Sequence, residues 1–188
     1  MTVTLLADPT ATVPALKLRP WQPDDAEALA AAHRDPLLRE RLLTVLDGEE
    51  EARRWIDKQH QLWSTRSRFS FAVTDPGATD RPLGHIVVIF QGQDEGETTT
   101  AEVGYWTSPE ARGRGIAPRA LETVSRWALD PRNELHLTRL ELRHATGNHA
   151  SCRVAEKCGY QLKSLLAPHP PKFPEEGHLH QRPAAPPA

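Results

Sequence analysis

The stretch that most constrains the fold runs from Thr100 to Trp127, TAEVGYWTSPEARGRGIAPRALETVSRW. Its opening segment, Ala101-Glu102-Val103-Gly104-Tyr105-Trp106, is apolar-rich and of strand length, and Ser108-Pro109 turns the chain away from it. A basic glycine-rich turn follows, Arg112-Gly113-Arg114-Gly115, after which Ile116, Ala120, Val124 and Trp127 recur at spacings of four, four and three. That is a strand, a tight loop and an amphipathic helix in immediate succession. Main-chain amides at a helix start, with two guanidinium groups beside them, suit an anionic group such as a diphosphate. Gly113 and Gly115 would let a ligand approach the backbone with no Cβ in the way. A dinucleotide fingerprint fits poorly, because Gly113-Arg114-Gly115-Ile116-Ala117 leads into Pro118, which has no amide hydrogen, and about 100 residues precede the turn. A nucleoside-triphosphate loop fails too, since no Gly-Lys-Ser/Thr follows the turn. A solvated turn that does no more than cap the helix stays open at this level.

A chain of 188 residues can bury one full core but not two comfortable ones, and 38% apolar residues fit a globular protein. The formal net charge of -2 gives no bulk attraction to nucleic acid, so recognition of an anion has to be local. Cys152 and Cys158 lie six positions apart in one predicted helix, nearly on opposite faces. Neither an intrahelical disulfide nor a zinc pair is expected from them, and no metal site is expected elsewhere. The first residues lack a basic region followed by a long apolar core, and no run approaches the roughly 20 apolar residues of a membrane span. A cytoplasmic protein without membrane or nucleic-acid partners is the expectation.

Residues 1–15 are expected to be a loose lead-in. Leu16-Lys17-Leu18-Arg19 alternates as a half-exposed strand would, and Asp24 or Asp25 can cap a helix whose inner face carries Ala28, Leu29, Ala32 and His33. Pro36 interrupts that helix, and a second short one carries Leu37, Arg41 and Leu42. Acidic residues at 49–51 and the period of Ala52, Trp55, Ile56, Gln59 and Trp63 predict a helix over 49–63. Trp55 and Trp63 are either core or substrate contacts. Three runs, 69–74, 83–90 and 100–106, have short polar spacers and predict an antiparallel meander. Beyond the central helix, a strand at 138–142, a helix at 148–157 and a strand at 160–166 predict crossovers with parallel pairing. The fold class is therefore α+β in three layers: a mixed, mostly antiparallel central sheet with helices on both faces. From Ala167 the chain turns proline-rich, and His178-Leu179-His180 is a candidate terminal edge strand within a tail that frays at its end.

Arg112-Gly113-Arg114-Gly115-Ile116-Ala117 resembles the Q/R-x-x-G-x-G/A motif of the GNAT superfamily of N-acetyltransferases, with Arg112, Gly115 and Ala117 at the defining positions. AEVGYW resembles the splayed fourth strand of that fold. The segment from Gly147 to Tyr160, GNHASCRVAEKCGY, is similar to the family's N-x-x-S…A-E-K-x-G-F/Y stretch. The resemblance covers residues 16–166 and is nearest to the ribosomal-protein alanine and serine N-terminal acetyltransferases; residues 167–188 depart from it. It implies an acyl-CoA N-acyltransferase-like fold and acetyl-CoA as the acyl donor, with coenzyme A as product. The amides of Arg112, Gly113, Arg114, Gly115, Ile116 and Ala117 would hold the diphosphate, and the backbone of Tyr105, Trp106 and Thr107 would pair with the pantetheine. Asn148 would hydrogen-bond pantetheine, and Ser151 would lie near the coenzyme sulfur.

The implied reaction is direct attack of a neutral amine on a thioester within a ternary complex, which needs a base, a donor toward the carbonyl oxygen and an acid for the leaving thiolate. Glu102 is the candidate base, a carboxylate inside an apolar strand, where poor hydration strengthens a base; an edge-facing or salt-bridged glutamate is the alternative. Tyr105 and Ser151 are candidate acids, and His85 a second proton acceptor or a pocket wall. Asn148 can equally cap its helix. Cys152 beside His149 offers a nucleophile, but small cysteines are ordinary core residues. The acceptor would be a primary amine of a protein N-terminus or a small molecule, the protein a monomer or homodimer, and the alternative function a non-catalytic acyl-CoA-binding or sensory module.

Overall fold

The computed structural model describes residues 3–10, 13–78, 81–93 and 99–185. The strands among these residues are β1 (Leu5–Ala7), β2 (Leu16–Pro20), β3 (Arg68–Thr74), β4 (Pro82–Gln93), β5 (Thr99–Thr107), β6 (Arg139–Ala145), β7 (Gln161–Leu166) and β8 (Gly177–Pro183). Among the described residues the α-helices are α1 (Ala26–Ala32), α2 (Pro36–Arg41), α3 (Glu49–Ser64), α4 (Ile116–Ala128) and α5 (His149–Lys157). The strands follow the order β1-β2-β3-β4-β5-β6-β8-β7 in a mixed sheet with helices on both faces, the expected α+β class. Two compact units divide the chain: residues 1–87 with 105–120, and residues 88–104 with 121–188.

In the first unit, β2 buries Leu16 and Leu18 completely and pairs antiparallel with both β1 and β3. The lead-in expected over 1–15 thus holds a strand, and Arg119 of α4 fastens it by donating to the carbonyls of Asp8 and Pro14, each at 2.7 Å. Asp25 does not act as a free helix cap: Arg19 grips it through two bonds of 2.7 and 2.9 Å, and its Oδ2 also accepts from the Gln22 amide. A buried pair with two bonds between its partners and a further amide donor is the arrangement in which an ion pair offsets its desolvation. Helix α3 opens on Glu49, Glu50 and Glu51, carries the i,i+4 pair Arg54–Glu50 at 2.5 Å on its outer face, and buries Ala52, Ile56, Gln59 and Trp63. Trp63 packs edge-on against Phe69 and Phe71, which makes it core.

In the second unit, β6 runs parallel to β5 with Glu102 opposite Glu141, as a strand–helix–strand crossover requires. The pairing expected between β6 and β7 is absent. Strand β8 lies between them, antiparallel to each, so the histidine strand is interior and β7 forms the edge. Proline content hid this. The strand fits because Gly177 to Arg182 contains no proline, and its only one, Pro183, is the last residue. The α4 hydroxyl of Ser125 meets the Tyr160 hydroxyl at 2.7 Å, and Arg182 of β8 reaches Glu122 of α4 at 2.5 Å.

Candidate functional site

The glycine turn belongs to the first unit. A single 3-10 turn, Pro109–Ala111, ends at Arg112, and the chain then passes Gly113 at φ +74 and Gly115 at φ +71 before α4 begins at Ile116. Both glycines are required by conformation, not by crowding: a Cβ at either would meet no atom within 4 Å. Open space over the main chain just ahead of a 13-residue helix is a cradle that side chains would fill. One of the two guanidinium groups is already committed. Arg112 forms an ion pair with Asp35, the N-cap of α2, which also accepts from the Leu38 amide at 3.0 Å. The Arg112 hydrogen bond, helped by the Leu38 amide, holds the Asp35 carboxyl below the ordinary carboxylate range. Arg114 is exposed and makes no ion pair among the described residues, so it is the cation left to meet an anion at the turn.

Tyr105, Trp106 and Thr107 end β5 in the same unit. The Trp106 carbonyl passes so close to β4 that a Cβ on Gly84 would lie 2.5 Å from it, which excludes any side chain at that position. His85 is not poised to take a proton. Its Nδ1 accepts from Trp21 Nε1 at 3.1 Å, and the rings of Trp21, Trp55 and Trp106 surround it with centroids 5.5 to 5.9 Å away. Burial, reinforced by the Arg68 charge, pushes its pKa down to about 3, so it stays neutral in neutral solution. A polar crevice of about 320 Å³ in this unit is lined by Arg19, Asp24, Asp25 and Arg81, among others, and by none of the expected site residues.

Glu102, Asn148 and Ser151 belong to the second unit. Glu102 is half-buried, and its carboxylate lies 3.7 Å from Arg143. Arg143 is shared with Glu141 at 2.8 Å, and Glu141 also takes a hydrogen bond from Gln181 at 2.9 Å. Glu141 is the better-shielded carboxylate, with a side chain 9% exposed against 30% for Glu102. Sequence reasoning passed over it; the alternation of Leu140, Glu141 and Leu142 marks it as lying on the face opposite two core leucines. Asn148 caps α5, its Oδ1 accepting from the Ser151 amide at 3.3 Å. Cys152 lies beside His144 and His178 and not beside the exposed His149, so the pairing expected within the helix is replaced by one with two strands. Cys158 is buried, and burial pushes its thiol up to about 11, which removes it from nucleophilic chemistry.

Residues 15–161 match a family model described as an acetyltransferase (GNAT) domain. No curated protein matches the chain in sequence. Among solved structures, an acetyltransferase of the GNAT family from Bacillus anthracis is 21% identical and superposes with a TM-score of 0.77 over 97% of this chain and 99% of its own. A ribosomal-protein alanine acetyltransferase from Vibrio fischeri is 18% identical, with a TM-score of 0.76 over 90% of this chain and 93% of its own. RimJ from Mycobacterium smegmatis, solved with CoA-disulfide, is 16% identical, with a TM-score of 0.77 over 97% of this chain and 87% of its own. At such identities the likeness is one of fold. No helix among the described residues is long and apolar enough to cross a membrane.

Proposed function

The chain belongs to the GNAT acetyltransferase family, and from that premise we propose that it moves an acetyl group from acetyl-CoA to a primary amine, on a protein N-terminus or a small molecule. The observation that carries this reading is the turn at Gly113 and Gly115, open over its main chain and leading into α4. In the first unit, the amides from Arg112 to Ala117 hold the diphosphate with Arg114 beside them, and the backbone of Tyr105 to Thr107 pairs with the pantetheine amides. In the second unit, Asn148 orients the pantetheine while capping α5, and Ser151 Oγ holds a proton for the sulfur. Acetyl-CoA supplies an activated acetyl carbonyl to which a neutral amine adds. Glu102 takes the proton that the amine gives up, directly or through water, with Arg143 fixing the carboxylate in place. The acceptor named for the Vibrio fischeri enzyme, a ribosomal protein, makes a protein amine the first candidate.

A second reading, an acyl-CoA-binding module without turnover, is favoured by one observation: Glu102 already has a cationic neighbour in Arg143. Release of thiol from acetyl-CoA, followed over a panel of peptides, polyamines and aminoglycosides, separates the two. Thiol release with any amine supports transfer. Calorimetric binding of acetyl-CoA with no release across the panel supports the module, and absence of binding overturns both.

A further inference from the structure

Four side chains of the second unit converge where sequence reasoning expected no metal: His144 of β6, Cys152 of α5, and His178 and His180 of β8. Their placement follows from register. His144 sits directly opposite His178, and His180 is two residues further along β8, so all three imidazoles share one face of the sheet. The ring centroids lie 5.1 to 5.8 Å apart. Cys152, in the first turns of α5, brings its sulfur to 3.2 Å from His178 Nδ1 and 3.8 Å from His144 Nε2. One ligand atom from each residue lies within 4.8 Å of the other three.

Within this cluster the ring nitrogens of His180 are the ones left without a hydrogen bond among the described residues. His144 Nδ1 meets the Ala145 carbonyl at 2.9 Å, which puts the proton there and leaves the Nε2 lone pair directed inward. His180 is only 2% exposed, and neither of its ring nitrogens has a hydrogen-bond partner. The Tyr160 backbone approaches that ring as a weak hydrogen-bond partner, at a geometry too poor to satisfy either nitrogen. A buried imidazole left in that state is costly unless something else takes its lone pair.

We propose that His144, Cys152, His178 and His180 form a closed, four-coordinate site for Zn2+. Tetrahedral zinc with bonds of about 2.0 to 2.3 Å sets its nitrogen and sulfur donors about 3.4 to 3.6 Å apart. The sulfur–nitrogen distances of 3.2 and 3.8 Å bracket that range, and the widest separation, 4.8 Å, closes by rotation of side chains. Three imidazoles and a thiolate select zinc over oxygen-seeking cations, and four protein ligands leave no open position, so the ion is structural. On binding, the Cys152 thiol gives its proton to solvent and the thiolate sulfur bonds the ion. The ion then joins β8 to β6 and to the start of α5. None of the four ligands has a role in the acetyl transfer proposed above, so the site stands or falls independently of it.

The test uses the full chain without a histidine tag, stripped with a chelator and titrated with Co2+ as a spectroscopic stand-in. Expected are one equivalent bound, the strong visible bands of tetrahedral cobalt, a near-ultraviolet sulfur-to-cobalt band, and bleaching of both by Zn2+. Cys152→Ser should abolish the sulfur band, His180→Ala should weaken binding at least tenfold, and Cys158→Ser should change nothing. Because a variant can fail to fold, the wild-type protein provides a second measure: Zn2+ should slow maleimide labelling of Cys152 and raise the melting temperature. Weak octahedral spectra, a sulfur band that survives Cys152→Ser, or labelling and melting unmoved by Zn2+ would each overturn the assignment.

Discussion

The two units bury histidines in opposite ways. In the first, His85 accepts a hydrogen bond from Trp21, and His33 Nδ1 accepts from the Leu46 amide at 3.2 Å. Aromatic rings close over both, with Trp106 lying against each. In the second, His144 and His178 turn toward one sulfur, and the ring nitrogens of the neighbouring His180 make no hydrogen bond of normal geometry. The same residue type therefore serves as a satisfied core group in one unit and as an incomplete polar cluster in the other. What separates them is whether a donor has been built in beside each buried nitrogen. Burial alone does not mark a functional histidine.

The proposed acetyl transfer has its base, Glu102, in the second unit. Its sharpest test is Glu102→Gln, which should lower turnover about 100-fold while coenzyme affinity stays within about threefold. Equal losses in both, measured by steady-state kinetics and calorimetry, would remove the base role.

The next effect is on stability. His85 falls from 6.5 to about 3 on folding, so the unfolded chain binds the extra proton between those values. Stability from this group is complete above about pH 6.5 and drains away as the pH falls toward 3, on the order of 2 kcal/mol between pH 7 and pH 5. His33, lowered by burial and by Arg39, adds in the same direction. Urea melts of the wild type and of His85→Leu at the two pH values check this; the variant should lose less on acidification, and an unchanged slope would break the contrast.

Gly115→Val comes third. It forces a β-branched side chain to φ +71 and covers the open main chain, and acetyl-CoA affinity should fall about tenfold by calorimetry. Smallest is His180→Leu in chelated protein, which should change stability by no more than about 1 kcal/mol, because the leucine replaces an imidazole that has no hydrogen bond of normal geometry to lose. A loss as large as that of His85→Leu would mean that the two sets of histidines are satisfied alike.

Much of the fold was legible because its signals are local. The period of Ala52, Ile56, Gln59 and Trp63 gave α3, and that of Ile116, Ala120 and Val124 gave α4. The glycines marked the central turn, though their positive φ came only with the structure, and Asn148 announced its cap. Such features depend on neighbours within one or two turns of chain, which spacing alone records. Strand β8 was seen only as a candidate edge, since alternation says that a strand exists and not which strands it will join.

Sequence by itself thus determined the elements from β2 to β7, the class of sheet and the turn ahead of α4. Tertiary structure alone decided that β8 enters between β6 and β7, that Asp35 engages Arg112 from 77 residues away, and that Cys152 meets His178 across 26. Those meetings depend on which surfaces bury one another once the chain is closed. No window short enough to show periodicity spans both partners.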